Sequence, residues 1–181
     1  MRKLTRGTWT TQSWRNGKGI TNEVVRHDDA DGFLFRISVA EISASSIFSE
    51  FTGVDRIIAQ LAGAPLTLTI GDTVVRVQTL GEPHTFAGET PVYCHAAGRA
   101  RDLNVMTRRG TVSATMKRLT SDALLEPPPG MRAMAFVASG KVESSVGVLE
   151  PDTLLEVMAG ETVALKVAPA AVLYRIDICP V

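Results

Sequence analysis

An all-β fold with little helix is predicted by three features of this 181-residue sequence: strand-period alternation, regular turn punctuation and an internal echo. Alternation is clearest over residues 33–42. There Phe33, Phe35, Ile37 and Val39 fall on one face of a strand and Leu34, Arg36, Ser38 and Ala40 on the other. Apolar and β-branched runs of strand length follow at 56–61, 66–70, 73–80, 92–96 and 102–107. A second series comes at 134–138, 143–148, 154–158, 162–167 and 172–178. Glycines separate these runs, among them Gly53, Gly63, Gly71, Gly81, Gly140 and Gly160. Many short strands at that spacing indicate a sandwich or barrel. One stretch, residues 116–125, has weakly helical apolar spacing. It stops just before Pro127, Pro128, Pro129 and Gly130, which cannot continue a helix and mark a connector.

The echo divides the chain. The tetrapeptide AGET occurs at 87–90 and again at 159–162, each time followed by an apolar strand, a small-residue turn and a terminal strand. Upstream, IAQLAG at 58–63 matches MAFVASG at 134–140. The order of elements suggests tandem duplication of a jelly-roll unit. Residues 1–118 would form the first unit with its N-terminal strands, and 119–181 a connector and a second, smaller unit. The second copy has fewer polar residues on its strands, so a site is expected in the first.

Composition excludes several classes. Nineteen basic and 19 acidic residues cancel, and 45% of the chain is hydrophobic, an ordinary globular balance. A nucleic-acid partner is not expected from a chain without basic excess. No apolar run approaches a membrane span, and the opening MRKLTRGTWTTQ has no apolar segment of a secretion signal, so a cytoplasmic location is expected. Cys94 and Cys179 are expected as free thiols. His95 follows Cys94, but neighbours on a strand point to opposite faces, which spoils a nucleophile pair.

A catalytic metal site needs about three converging His or carboxylate ligands. His27, His84 and His95 form no H-x-H pair, and the acidic HDDADG segment lacks the ordered spacing of a calcium loop. No Ser-His-Asp arrangement is visible, and the GKG of WRNGKGITNE lacks the frame of a phosphate loop. Three other segments mix polar residues into apolar strand patterns. In WRNGKGITNE (14–23), Trp14, Asn16 and Lys18 either make a tight glycine turn on the core or form a cavity rim. In FRISVAEI (35–42), Arg36 lies mid-strand and needs a carboxylate if it faces inward, while Glu41 falls on the opposite face by parity. In RDLNVMTRRG (101–110), Asp102, Asn104 and Met106 share a face, with Arg101, Arg108 and Arg109 at the strand ends. A buried asparagine and arginines suit a carboxylate or amide ligand. The competing reading is a solvated strand end, with Asn104 satisfying loop backbone.

Taken in order, Trp14-x-Asn16-Gly17-x-Gly19-x-Thr21-x-Glu23, RISVAEI, FSEFTGVDR (48–56) and RDLNVMTRRG resemble the HutD/Ves family over roughly residues 9–178. That resemblance implies a bicupin, two small jelly-roll units packed together, generally dimeric and with no established enzymatic activity. It also implies an association with histidine utilisation, whose output the family is proposed to limit by binding an intermediate such as formylglutamate or urocanate. Lys18, Phe35 and Thr52 depart from the residues common in the family, and Lys18 could reshape the rim. The expectation is therefore a metal-independent, cofactor-free binding protein for a small carboxylate metabolite, cytoplasmic and homodimeric. Arg36, Arg101 and Asn104 are its expected anion and amide contacts, Trp14 and Asn16 its rim, and Glu41 a group that holds a basic partner or ligand amide. Competing readings are a cupin enzyme (oxygenase or isomerase) acting on a small organic acid, and a protein-interaction module with a vestigial pocket.

Overall fold

A computed structural model describes all of residues 1–181 and contains nineteen strands, with a single turn of 3-10 helix at Arg6–Thr8. The chain forms two compact units. The C-terminal unit takes Met1–Thr8 and Val112–Val181, and the N-terminal unit takes Trp9–Thr111. Strand β1 (Arg2–Leu4) belongs to the C-terminal unit. The N-terminal unit contains β2 (Thr10–Ser13), β3 (Gly19–Asp29), β4 (Gly32–Ile42), β5 (Ser46–Ile47), β6 (Val54–Gly63), β7 (Leu66–Ile70), β8 (Thr73–Val77), β9 (His84–Ala87), β10 (Val92–Ala96) and β11 (Ala100–Arg108). The remainder is β12 (Val112–Leu119), β13 (Ala123–Leu125), β14 (Arg132–Ser139), β15 (Val142–Ser144), β16 (Gly147–Leu149), β17 (Leu154–Met158), β18 (Val163–Val167) and β19 (Val172–Pro180).

Each unit has two sheets. In the N-terminal unit they run β2-β3-β4-β11-β6-β9 and β5-β10-β7-β8; in the C-terminal unit, β1-β17-β14-β19-β12 and β13-β18-β15-β16. Eight strands therefore repeat in the same connectivity, with β4 to β11 matched by β12 to β19. The core of each unit draws on both of its sheets: Ile42 and Ile58 meet Leu66, Leu68 and Cys94 in the first, and Ala135 and Leu173 meet Val142 and Val163 in the second. Alternation along β4 is as expected. Ile37 and Val39 are wholly buried on one face, and Ser38, Ala40 and Ile42 are buried on the other.

The glycines that end the two echoing segments have one structural role. Gly63 (φ +93°) and Gly140 (φ +72°) close β6 and β14 in the left-handed region. Each lies against the residues that open the matching strand: a Cβ on Gly63 would sit 2.2 Å from the Arg99 carbonyl oxygen, and one on Gly140 would sit 2.6 Å from the Ala171 Cβ. Both sites need a residue without a side chain.

Three expectations are corrected. Residues 116–125 are not helical: β12 pairs with β19 in unbroken register from Val112 opposite Pro180 to Leu119 opposite Leu173, and β13 follows after a turn. Sheet pairing outweighs the weak apolar spacing, because eight residues of ladder satisfy the backbone groups a short helix would leave open at its ends. That same pairing places β12 in the C-terminal unit, so the boundary falls after Thr111, and β1 pairs with β17 rather than with the first unit. Residues 143–148 are not one strand but the β15–β16 hairpin. It is turned at Gly147 (φ +97°) and tied by the Ser144 hydroxyl, which donates to the Gly147 carbonyl at 2.7 Å. No helix is long and apolar enough to cross a membrane.

Candidate functional site

Strands β4, β11 and β6 lie side by side, and their register gathers the polar residues of the N-terminal unit. Met106 of β11 stands between Arg36 and Arg56, Asn104 between Ser38 and Ile58, and Asp102 between Ala40 and Gln60. With a side-chain period of two, these positions share the inward face. Of them Arg36, Ser38, Ala40, Arg56, Asp102 and Asn104 line a cavity of about 340 Å³ whose remaining wall comes from the β2–β3 turn and from Phe48 and Phe51 after β5.

Two guanidinium groups face this cavity without an ion-pair partner. Arg56 is only 5% exposed. Its Nη1 donates weakly to the Ser49 carbonyl at 3.4 Å, and its Nε has no hydrogen-bond partner. Aromatic rings surround it, with Phe86, Phe48 and Phe51 centroids 4.9, 5.3 and 5.7 Å from its guanidinium carbon. Such contacts each supply on the order of 1 kcal/mol, less than a carboxylate partner would. Arg36 donates only to the Met106 thioether at 3.0 Å, lies 5.9 Å from the Phe51 centroid, and also leaves Nε unpaired. Burial lowers the pKa of both arginines, that of Arg56 to about 10, with Asp102 opposing and Arg36 adding to the shift.

Asp102 is 1% exposed and Asn104 8%, and both Oδ1 atoms are buried without a partner. Burial pushes the Asp102 carboxyl up to about 7, and Arg56 draws it back only in part. Cys94 is pushed up to about 12, first by burial and then by Asp102. Because the folded-state pKa of Asp102 is raised, the folded protein holds its proton more tightly than the unfolded chain does. The penalty is absent below pH 4 and complete above pH 7. Stability relative to Asp102→Asn should therefore fall across that window by roughly 1.4 kcal/mol per pH unit. Urea unfolding of both proteins at pH 4.5 and pH 8 checks this. A gap that does not move with pH would mean that Asp102 ionises normally.

The expected site residues divide into two groups. Trp14, Asn16, Arg36 and Asn104 all line the cavity. Trp14 satisfies both of its readings: its ring packs edge-on to Phe48 at 6.5 Å, and its Nε1 donates to Thr21 Oγ1 at 2.8 Å on the cavity side. Asn16 is exposed and caps its turn by accepting the Lys18 amide at 3.0 Å. Lys18 is drawn to the Ser45 carbonyl at 3.0 Å instead of the cavity. Glu41 and Arg101 do not join the others. They stand opposite each other across β4 and β11 and line a separate hollow of about 490 Å³, where Glu41 accepts from Asn22 Nδ2 at 3.3 Å. Strand parity separates Glu41 from Arg36, and parity at the β-bulge between Arg101 and Asp102 does the same for Arg101. Arg108 and Arg109 pair with Asp29 and with Asp55 and Glu89 at the strand end.

Arg56 and Asp102 belong to the site but were not among the expected residues. Parity with Asn104 was a usable signal for Asp102, and Arg56 is a charge inside the apolar run VDRIIAQLAG. The C-terminal unit is an internal control. Aligned on their closing glycines, Arg56 corresponds to Ala133 and Gln60 to Val137. Val137 faces Leu173, as Gln60 faces Asp102. The unpaired cation and the buried acid are both replaced by apolar residues there. The charges that remain on β19 neutralise each other, Arg175 Nε pairing with Asp177 at 2.9 Å.

Cupin folds commonly hold a divalent metal, but this cavity does not fit one. Its charged groups are three guanidiniums, of Arg15, Arg36 and Arg56, and a single carboxylate, a set that repels a cation. The three histidines are dispersed, His27 stacked on Phe35, His84 on β9, and His95 against Tyr93. No group of three or more His, Cys, Asp or Glu side chains converges.

Fold and cavity together define a bicupin whose N-terminal barrel opens on a cationic pocket. The chain belongs to the HutD family, whose model matches residues 6–174. Protein Ves of Cronobacter sakazakii is 30% identical over 141 residues, 77% of each chain. An uncharacterised 21.2 kDa protein in the hutC 3′ region of Pseudomonas putida is 32% identical over 144 residues, 78% of this chain and 75% of that one. The structure of HutD from Pseudomonas fluorescens SBW25, in a formate condition, shares the fold with a TM-score of 0.88 at 24% identity, covering 99% of this chain and 98% of that one.

Proposed function

We propose that this protein binds a small carboxylate metabolite in its N-terminal cupin and limits histidine utilisation in response to it. The observation that carries this reading is the pair Arg36 and Arg56, two guanidinium groups turned into one cavity with no protein carboxylate paired to either. A buried charge without a partner costs several kcal/mol, and a bound carboxylate removes that cost through bidentate contacts. Formylglutamate and urocanate are carboxylates of that pathway and of a size for about 340 Å³. The link to the pathway is supported by family membership and by the P. putida relative named for its place beside hutC. The protein acts in the cytoplasm as a homodimer.

A thermal-shift panel of urocanate, formylglutamate, formiminoglutamate and formate tests the reading on wild type and Asn104→Ala. A cognate ligand at a hundred times its Kd stabilises the wild type by about 2.7 kcal/mol, with a smaller gain for Asn104→Ala. If no compound raises the melting temperature, the pathway-sensor role is lost. One observation favours an enzyme instead, namely the Asp102 carboxyl held near neutrality inside the cavity. Turnover of the panel followed by NMR decides between the two: binding without any product is the expected result.

A further inference from the structure

The geometry points to Asp102 as the residue that makes this cavity selective for carboxylates that also carry an N–H donor. The inference rests on the carboxylate-binding reading above and goes beyond it in naming a second required group on the ligand. The buried polar atoms left open here are of two kinds. Arg36 and Arg56 offer N–H donors that want an anion, whereas Asp102 Oδ1 and Asn104 Oδ1 are acceptors that want a donor. A simple carboxylate has acceptors only, so it answers the arginines and leaves both oxygens unsatisfied. It also brings a second negative charge towards an aspartate already pushed up by burial. A ligand that carries an amide, amine or imidazole N–H beside its carboxylate answers both sets at once.

The placement of the groups supports this. Asp102 and Asn104 are two residues apart on β11, so their side chains leave the strand on the same face and present adjacent acceptors. Arg56 lies on the neighbouring strand β6 and Arg36 on β4, both level with Met106, so the donors cluster one step further along β11 than the acceptors. The ligand's carboxylate and its N–H would therefore be separated along the strand direction by a few bonds. Other groups do not supply the missing donor. Gln60, opposite Asp102, spends its amide on the Ala64 carbonyl at 2.7 Å and on the Leu66 amide. Trp14 Nε1 is committed to Thr21, and the Cys94 thiol is a weak donor. The C-terminal unit, where Asp102 is matched by Leu173, has lost this acceptor along with the cation. A site built to hydrogen-bond an N–H discriminates strongly against an analogue that lacks it, because its own buried group is then left unpaired.

Isothermal titration calorimetry at pH 8 on the full chain tests this with two matched pairs. Urocanate is set against 3-(2-furyl)acrylate, and N-formylglutamate against its N-methyl derivative. Both members of a pair keep the carboxylates, and only the first carries the N–H. Wild type is expected to prefer the N–H member of at least one pair by about tenfold or more. Asp102→Asn should reduce that preference to below about threefold, with the N–H-free member gaining affinity because its carboxylate no longer meets a second negative charge. For the N-formylglutamate pair on wild type, lowering the pH to 5.5 should also erode the preference, because a protonated Asp102 can donate as well as accept. Equal affinities within each pair, or a preference that survives in Asp102→Asn, would overturn the role of Asp102 while leaving the carboxylate site intact. Failure of wild type to bind any of the four compounds would overturn both.

Discussion

Gly63→Ala should be the most damaging single-methyl change in the N-terminal unit, with an expected loss on the order of 3–5 kcal/mol. Two costs combine. The backbone there has φ +93°, which an L side chain adopts at a cost of about 1–2 kcal/mol. The added Cβ would also meet the Arg99 carbonyl oxygen at 2.2 Å and the Ala100 Cα at 2.7 Å, both backbone atoms. The oxygen cannot retreat freely, because it accepts the Ala64 amide at 2.9 Å. Relief would require β6 and β11 to part at the end of their ladder, next to the bulge that sets the register of Asp102. Gly17→Ala is the matched control. Its φ is +68° but nothing lies within 4 Å of where its Cβ would stand, so only the backbone strain of about 1–2 kcal/mol applies. Thermal unfolding of the two variants should separate them by several degrees, about 2–4 °C per kcal/mol for a chain of this size. Equal melting temperatures would show that the close approach at Gly63 is not structurally required.

Arg56→Met should lower the affinity for a carboxylate ligand by about a hundredfold or more, while leaving the unliganded protein about as stable as wild type. These opposite demands on one residue separate a binding group from a structural one. In the unliganded state the guanidinium is almost wholly withdrawn from water, has only a long contact to Ser49, and depends on three phenylalanine faces and the distant charge of Asp102. Methionine of similar length fills the space between those rings without a charge to desolvate. Asp102 then loses the group that opposes its rise, so it takes up a proton near neutrality instead of remaining as an isolated anion. Arg36→Met should cost binding less, about tenfold, because that side chain is only partly buried. Chemical denaturation measured beside calorimetry checks both halves. A large loss of unliganded stability in Arg56→Met would make the arginine a structural element of the barrel, and intact carboxylate binding would remove it from the site.

Much of this molecule could be read from residue order, and the reasons differ from element to element. Strand β4 was legible because a two-residue period over ten positions has one geometric solution, and that solution placed Arg36 opposite to Glu41. The duplication was legible because Gly63 and Gly140 close matching strands at positions where no side chain fits, so the segments leading into them kept a common pattern. Strand β12 was not legible. Its apolar residues are sparse, and only the ladder to β19 makes the segment extended. The site was half legible. Parity grouped Asp102 with Asn104, and Arg56 stood out as a charge in an apolar run, but only the folded chain showed that Arg56 lines the cavity while Arg108 and Arg109 pair with Asp29 and with Glu89.

The sequence by itself determined that this chain is a duplicated all-β protein of the HutD family, with its polar strand residues concentrated in the first copy. Those properties depend on local period and on the order of short motifs, both of which are carried along the chain. Which charges face one another was decided only by the tertiary structure. A charge is paired or stranded according to the register between β4, β11 and β6, and register is a relation between segments distant in the sequence, as Thr107 is from its partner Phe35. That relation leaves Arg36 and Arg56 without a carboxylate in ion-pair contact and Asp102 Oδ1 without a donor, and the chemistry of the cavity follows from it.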